Sequence, residues 1–383
     1  MGARDLFISA YAPTLGGGRA LRTYTVVRAL ARLRPLDVAY VPFESAEPDA
    51  LYRAIDGVEF HRIPVSRGAR RAALYLRRRA AGHPGSVARG ASPEIIDVAR
   101  RLAAEPGRGR VIAGDFHVMS ALMGFARSHP IIFNTHNVES SVAHDPNGRS
   151  PASLALGLLE RRVMHRAAET WVVSRADLQL ARRLAPNAAL RYAPNVVDVD
   201  AIPVAPLRSA RRRTVLMVGD FTYAPNRDGL RLLVDEVLPR VWARRPDARL
   251  QVVGRGLDAW PAGDPRVEIL GFVDALEPAY AAADVVAVPL TTGRGTSLKL
   301  VEALAFGVPV VSTPAGARGL DLAPGEHYRE ADGPEAFAAQ TVELLADGDP
   351  GMAARARAVA EREYSVAALA GLLDPDVPPD RAR

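Results

Sequence analysis

The chain has 383 residues, 48% of them apolar and 24% charged, the balance of a soluble globular protein long enough for two cores rather than of a disordered or fibrous chain. It has no cysteine, which excludes disulfides and thiolate metal sites, and no apolar run approaches the ~20 residues of a membrane-spanning helix. The net charge of +6 is uneven: residues 1–200 hold 28 Arg and 18 acids, and eight Arg with no acid lie from Arg62 to Arg89.

The opening, MGARDLFISAYAPTLGGGR, has too short an apolar run for a secretory signal, so a cytoplasmic location is expected. Strands are predicted at 6–10 (LFISA), 37–43 (DVAYVPF), 58–65 (VEFHRIPV), 110–116 (RVIAGDF), 130–136 (PIIFNTH), 170–174 (TWVVS) and 190–195 (LRYAPN). Amphipathic helices fall between them at 20–34, 93–104 and 152–168. Near-continuous apolar strands separated by helices specify a parallel, doubly wound sheet. At 201–213 the pattern lapses into AIPVAPLRSARRR, a linker. It then restarts with strands at 214–221, 249–254, 267–272, 284–290 and 309–314, helices at 227–244, 275–283 and 297–306, and a last helix at 350–364. The expected organisation is α/β, with domains at 1–200 and 214–349, a linker at 201–213, and a C-terminal helix and fraying tail at 350–383. Ligands of such sheets sit beyond the carboxyl ends of the strands, so two of them would bind across a cleft.

The segment PLTTGRGTSLKLVEALAFGVPVVSTPAGARGL (289–320) carries the most chemistry. A strand ends, a glycine-containing loop follows, and a helix starts near Thr296 or Ser297, where uncapped backbone N–H groups can hold an anion. Lys299, the one lysine among 49 cationic residues, falls in the first turn. It offers a compact ammonium where every other cation is a planar guanidinium. Glu302, a turn later, can chelate a vicinal diol. Phosphate at the helix start and ribose on the carboxylate together describe a nucleoside diphosphate; the bland alternative is a capped helix with an ordinary glutamate. Neither a P-loop nor GxGxxG is present. The cluster Gly16-Gly17-Gly18-Arg19 can bring backbone close to a phosphate or a sugar, or can be a structural turn.

Taken together, GxGTSLKLVEALAFGVPVVSTPAGARGL, GGGR after the first strand, THN, VVSRAD, PNVVDVD, VGDFTYAPNRDGL, LQVVGRG and LGFVDALEPAYAAADVVAVPL resemble, in order and over residues 5–365, the family 4 glycosyltransferases. The resemblance implies the GT-B fold, two Rossmann-like doubly wound domains facing a cleft. It also implies retaining transfer from a nucleotide diphosphate sugar with no cofactor and no metal. By this likeness Glu302 holds the ribose, and the amides of Gly295, Thr296, Ser297 and Leu298 face the pyrophosphate and sugar. Gly271, Phe272 and Val273 meet the base, and Gly17 and Gly18 approach the donor. His117 and His136, each at a predicted strand end, are candidates to lie beside the donor sugar. Arg19 and Glu139 are candidates for the acceptor.

Two departures stand out. The family's Glu eight residues before the second Glu is Arg294 here. The family's Arg and Lys after the first C-domain strand are also absent, the stretch giving Asp220, Asn226 and Arg227. Lys299 and Arg294 are expected to supply the missing charge. The segment 67–82, with cations from Arg67 to Arg79 around Leu74, Tyr75 and Leu76, reads either as a solvated helix or as a face for an anionic membrane. It lacks the aromatic interleaving of a nucleic-acid surface. The function read from the chain is sugar transfer to an alcohol, sugar or lipid-linked acceptor, in surface polysaccharide or glycolipid assembly or natural-product glycosylation, either in the cytoplasm or peripheral to the inner face of the membrane. Rival readings are a sugar-nucleotide epimerase or phosphorylase, and a non-catalytic nucleotide-sugar binder.

Overall fold

A computed structural model describes residues 3–41, 47–64, 68–142, 151–203, 213–257, 260, 263–293 and 295–378. The chain forms two compact units, Met1–Asn195 together with Leu369–Arg383, and Val196–Ala368.

The first unit is a seven-stranded sheet of β1 (Arg4–Ser9), β2 (Leu36–Tyr40), β3 (Val58–Arg62), β4 (Arg108–Ala113), β5 (Ile131–Asn134), β6 (Glu169–Val172) and β7 (Leu190–Tyr192). The order is β3-β2-β1-β4-β5-β6-β7, every pair parallel. Leu6, Phe7 and Ile8 of the central strand are completely buried, as a strand with helices on both faces requires. Helices Gly18–Leu33, Ala69–Ala80, Pro93–Ala103, Pro151–Arg166 and Arg175–Leu184 are the main ones among its described residues. Strand order reverses between β1 and β4, so the loops leaving them diverge and open a crevice at their carboxyl ends.

The second unit is a six-stranded sheet of β8 (Thr214–Val218), β9 (Arg249–Val253), β10 (Val267–Gly271), β11 (Val285–Val288), β12 (Val310–Ser312) and β13 (Arg329–Glu330). Its order, β10-β9-β8-β11-β12-β13, is again parallel and reverses between β8 and β11. Its core lies on both faces, one around Leu216, Val286, Leu304 and Ala360, the other around Val215, Leu233, Val252 and Leu344.

Several local expectations change. The strand predicted at 110–116 stops at Ala113, because the Asp115 carboxylate accepts from Val118 N–H at 3.0 Å and caps helix Phe116–Leu122. The helix predicted at 227–244 runs from Ala224 but contains a wider turn, Leu232–Val237, just ahead of Pro239, which has no N–H for the regular ladder. Helix Pro334–Asp347 and the two-residue edge strand β13 lay outside the predicted elements. Beyond helix Pro350–Glu363 the chain does not simply fray. Helix Val366–Leu373 brings it back to the first unit, where Arg191 donates to Leu372 O and Val377 O at 2.7 Å each and Arg110 to Leu373 O at 2.5 Å.

Candidate functional site

In the second unit the switch between β8 and β11 is where charge collects. The loop after β8 enters helix Ala224–Arg231, and the loop after β11 enters helix Leu298–Phe306. Lys299 Nζ donates to Asn226 Oδ1 at 2.5 Å, and Asn226 Nδ2 donates to Asp220 O at 2.7 Å, so one side chain joins both loops. Glycines make the space. A Cβ on Gly219 would lie 3.4 Å from Lys299 Nζ, and a Cβ on Gly254 (φ +148°) would lie 1.6 Å from Gly219 O. Only glycine lets the β8 and β9 loops pass so closely.

Helix Leu298–Phe306 starts with open backbone donors. Ser297 is its N-cap but makes no capping bond, and its Oγ is buried without a partner among the described residues. Both the free N–H groups and the helix dipole favour an anion there. One turn on, Glu302 Oε2 lies 3.5 Å from Tyr280 Oη, and the Tyr280 ring stacks on Phe306 with centroids 4.2 Å apart. Burial raises the Glu302 carboxyl to about 7 against the attraction of Lys299. Burial lowers Lys299 to about 8, opposed by Glu302 and Asp220. Desolvated groups poised this close to neutrality are common where a ligand completes the charge balance.

The other donor-side candidates divide. Gly295 (φ +83°) and Thr296 lead into the helix start beside Ser297, whereas the Leu298 side chain packs against the core and leaves its backbone as the available group. Gly271 ends β10 with φ +69°, its carbonyl accepting from Gly254 N–H at 2.8 Å. Beside it Phe272 is 66% exposed and Val273 packs against the core. Arg227 braces its own loop, donating to Phe221 O at 3.1 Å and Thr222 O at 2.9 Å. Arg294 lies outside the described residues. The roles of Asn226, Gly219, Gly254 and Tyr280 were not singled out from sequence; the asparagine and first glycine stand in VGDFTYAPN, but nothing linear ties them to Lys299.

The first unit gathers a second group at the β1–β4 switch. Gly16 (φ 136°) and Gly17 (φ 105°) turn the chain into helix Gly18–Leu33. The Asp115 carboxylate accepts from Ala10 N–H at 2.9 Å, tying the loops after β1 and β4 together. His117 opens helix Phe116–Leu122. Its Nδ1 is buried with no partner among the described residues, and a Cβ on Gly90 would come within 2.5 Å of it. His136 follows β5, with Nε2 3.5 Å from Thr23 Oγ1. Burial, then Arg22, Arg19 and His117, push His136 down to about 3, so its ring is neutral at physiological pH. Glu139 lies 3.9 Å from Arg19 Nη2, and burial raises its carboxyl while Arg19 and His117 oppose the shift. Thus Arg19, His117, His136 and Glu139, distant in sequence, share one neighbourhood.

Two buried charges hold that neighbourhood in place, and neither was foreseen. Arg22, 1% exposed, donates Nε to Thr135 O at 2.8 Å and Nη2 to Asn134 Oδ1 at 2.7 Å, and its Nη1 reaches Ala193 O, Pro194 O and Asn195 Oδ1. Glu160, fully buried, accepts from Glu139 N–H at 2.6 Å, from Ser140 N–H at 3.0 Å and from Ser140 Oγ at 2.6 Å. The segment 134–140, which carries His136 and Glu139, is therefore pinned by a cation from helix Gly18–Leu33 and an anion from helix Pro151–Arg166. The sequence signal is a charged residue on the apolar stripe of each helix.

In the basic segment, helix Ala69–Ala80 forms as read, with Arg67 outside the described residues. Arg78 is buried and donates to Ser120 O and Oγ at 2.9 and 2.8 Å, while Leu76 is exposed. Among the described residues one acidic-histidine group, Asp37, Glu59 and His61, has the spacing for a metal. Arg4 already bridges Asp37 Oδ1 and Glu59 Oε2 at 3.0 Å each, and Arg108 takes Asp37 Oδ2, so the group works as an ion-pair network.

Residues 212–347 match the family model described as Glycosyl transferases group 1. The chain is 36% identical over 166 residues to a phosphatidyl-myo-inositol mannosyltransferase of Mycolicibacterium smegmatis, covering 40% of this chain and 42% of that protein. It is 35% identical over 190 residues to the enzyme of that name from Mycobacterium leprae, covering 46% and 50%. The match thus spans half or less of these relatives. Among solved structures, Anabaena Alr3699/HepE in complex with UDP superposes with a TM-score of 0.66 at 16% identity over 96% of this chain and 97% of that one. Sucrose-phosphate synthase from Thermosynechococcus elongatus gives 0.70 at 18% identity, covering 96% of each chain. Two parallel Rossmann-like sheets of these topologies give the chain the GT-B fold of these neighbours, and the second unit carries a segment similar to the group 1 glycosyl transferases.

Proposed function

We propose that the protein is a retaining glycosyltransferase that moves a sugar from a nucleoside diphosphate sugar to the hydroxyl of a lipid-linked acceptor. The observation that carries this is the β8–β11 switch of the second unit. There an ammonium, an uncapped helix start and a half-buried carboxylate lie within one helical turn. In this reading Glu302 accepts from the ribose hydroxyls, and Lys299 with the amides of Gly295 to Leu298 holds the diphosphate. Phe272, with Gly271 and Val273, offers a surface for the base.

The chemistry follows from charge. As the glycosidic C–O bond breaks, the diphosphate gains negative charge, which the helix start and Lys299 stabilise, and the sugar ring gains oxocarbenium character. A neutral His136 or His117 ring suits that developing positive charge, whereas an imidazolium would repel it. The leaving phosphate oxygen takes the acceptor's proton on the same face, so the new bond forms with retention and no side-chain nucleophile. Arg19 and Glu139 bind the acceptor. The lipid-linked acceptor rests on the likeness to phosphatidyl-myo-inositol mannosyltransferases, and helix Ala69–Ala80 would bring the enzyme to an anionic inner leaflet. No metal is needed in this scheme.

A thermal-shift panel of UDP, GDP, ADP, dTDP and CMP on wild type and Glu302→Ala tests the reading. One nucleotide should stabilise the wild type and lose its effect in the variant; no shift with any of them would refute the donor site. Arg294, standing where the resembled family has Glu, supports the second reading of a nucleotide-sugar binder without transfer. That reading predicts donor binding with no hydrolysis and no transfer across an acceptor panel.

A further inference from the structure

At the opposite end of the first sheet from His117 and His136 lies a recess of about 490 Å³. Its walls are Arg127, Arg161, Arg162, His165 and Arg166, and Met123 and Leu158 supply its apolar part. Topology fixes its place. Helix Phe116–Leu122 starts beyond the carboxyl end of β4 and leads through Met123 to the turn Phe125–Arg127 ahead of β5. Helix Pro151–Arg166 ends just before β6. The recess therefore sits at the amino ends of β5 and β6, away from the residues assigned to transfer.

Its charge is unbalanced. No carboxylate lines it, and none of its four arginines is ion-paired with a described residue. Elsewhere in the unit arginines find acids: Arg70 with Asp97, Arg108 with Asp37 and Glu105, Arg110 with Asp5, Arg191 with Glu169. A helix C-terminus favours cations and accounts for Arg161, Arg162 and Arg166 singly. It does not account for Arg127, which arrives from a different element to face them. The field reaches neighbouring groups too: burial first, then Arg78 and Arg162, lower His83 to about 4.

We propose that this recess is a second ligand site, separate from the donor site, for a phosphate monoester or diphosphate. Guanidinium forks match phosphate oxygens in pairs, and several converging without counter-ions raise the local potential for a multiply charged anion. Leu158, 57% exposed beside them, gives the site an amphiphilic rim. The phosphate can therefore belong to a soluble ligand or to a lipid headgroup, and the two sources are separable by experiment.

The test uses the full chain with two probes: inorganic pyrophosphate by titration calorimetry, and phosphatidylcholine vesicles with or without phosphatidic acid by cosedimentation. Arg161→Gln/Arg166→Gln alters exposed side chains, and Lys299→Ala removes pyrophosphate binding at the donor site. At least one probe should bind Lys299→Ala in a salt-sensitive manner, and the double substitution added to Lys299→Ala should weaken that binding about tenfold or more. Pyrophosphate binding alone identifies a soluble ligand, and binding to phosphatidic acid vesicles alone identifies a headgroup. If the double substitution weakens the binding of neither probe, or if neither binds, the proposal is overturned. Failure of the nucleotide panel leaves it standing, because that panel reports on the other unit.

Discussion

Lys299 is the single lysine of a chain that otherwise uses arginine, and its surroundings give a reason. Its ammonium fits 2.5 Å from Asn226 Oδ1 beside the space Gly219 leaves open; a guanidinium is broader and would press on that glycine. Lys299→Ala is expected to raise donor KM or lower kcat about tenfold or more, and Lys299→Arg to recover little of it, as steady-state kinetics would show. The pH dependence follows from the same pair. Donor binding wants Glu302 ionised and Lys299 charged. Burial sets the first at about 7 and the second at about 8. The profile of kcat/KM for donor should therefore rise toward pH 7 and fall above pH 8, and Glu302→Gln should remove the acid limb. Gly254→Ala should abolish nucleotide binding, since its Cβ would meet Gly219 O at 1.6 Å and push the β8 loop off the site.

At the scale of elements, the post-β5 segment shows how buried charge shapes a loop. Burial raises Glu160 from 4.5 to about 7, opposed by its three hydrogen bonds. Between those values the folded protein holds a proton that the unfolded chain has released, so this contribution is complete below pH 4.5 and is lost as pH rises through 7. The loss amounts to about 3 kcal/mol at most. Thermal melts from pH 4.5 to 8 should show wild type losing Tm and Glu160→Gln losing less. Arg22→Leu leaves several buried acceptors without donors and should cost about 3 kcal/mol or more, with nucleotide affinity intact because the residues proposed to hold the base, ribose and diphosphate belong to the other unit.

At the scale of the molecule, two units share one chain, and the last turn of helix together with the C-terminal segment belongs to the first of them. Leu369 and Leu373 are buried, and the carbonyls of Leu372, Leu373 and Val377 satisfy Arg191 and Arg110. Removing residues 369–383 should destabilise the first unit by about 5 kcal/mol, seen as an earlier thermal transition, while nucleotide still stabilises the second.

The α/β alternation, the parallel sheets and the helix start at Ser297 were legible in the sequence, because each depends on neighbours: apolar runs of strand length, helical periodicity and an N-cap before Lys299. The interruption of the helix at Leu232–Val237 could also be traced to a nearby residue, Pro239. Tertiary structure alone decided what depends on residues far apart in sequence. It brought Asn226 across 73 positions to Lys299, set Gly254 against Gly219, gave Arg22 its acceptors from Asn134 to Asn195, and returned the C-terminus to the first unit. Sequence patterns report which face a residue turns inward; only the packed chain determines which distant group meets it there.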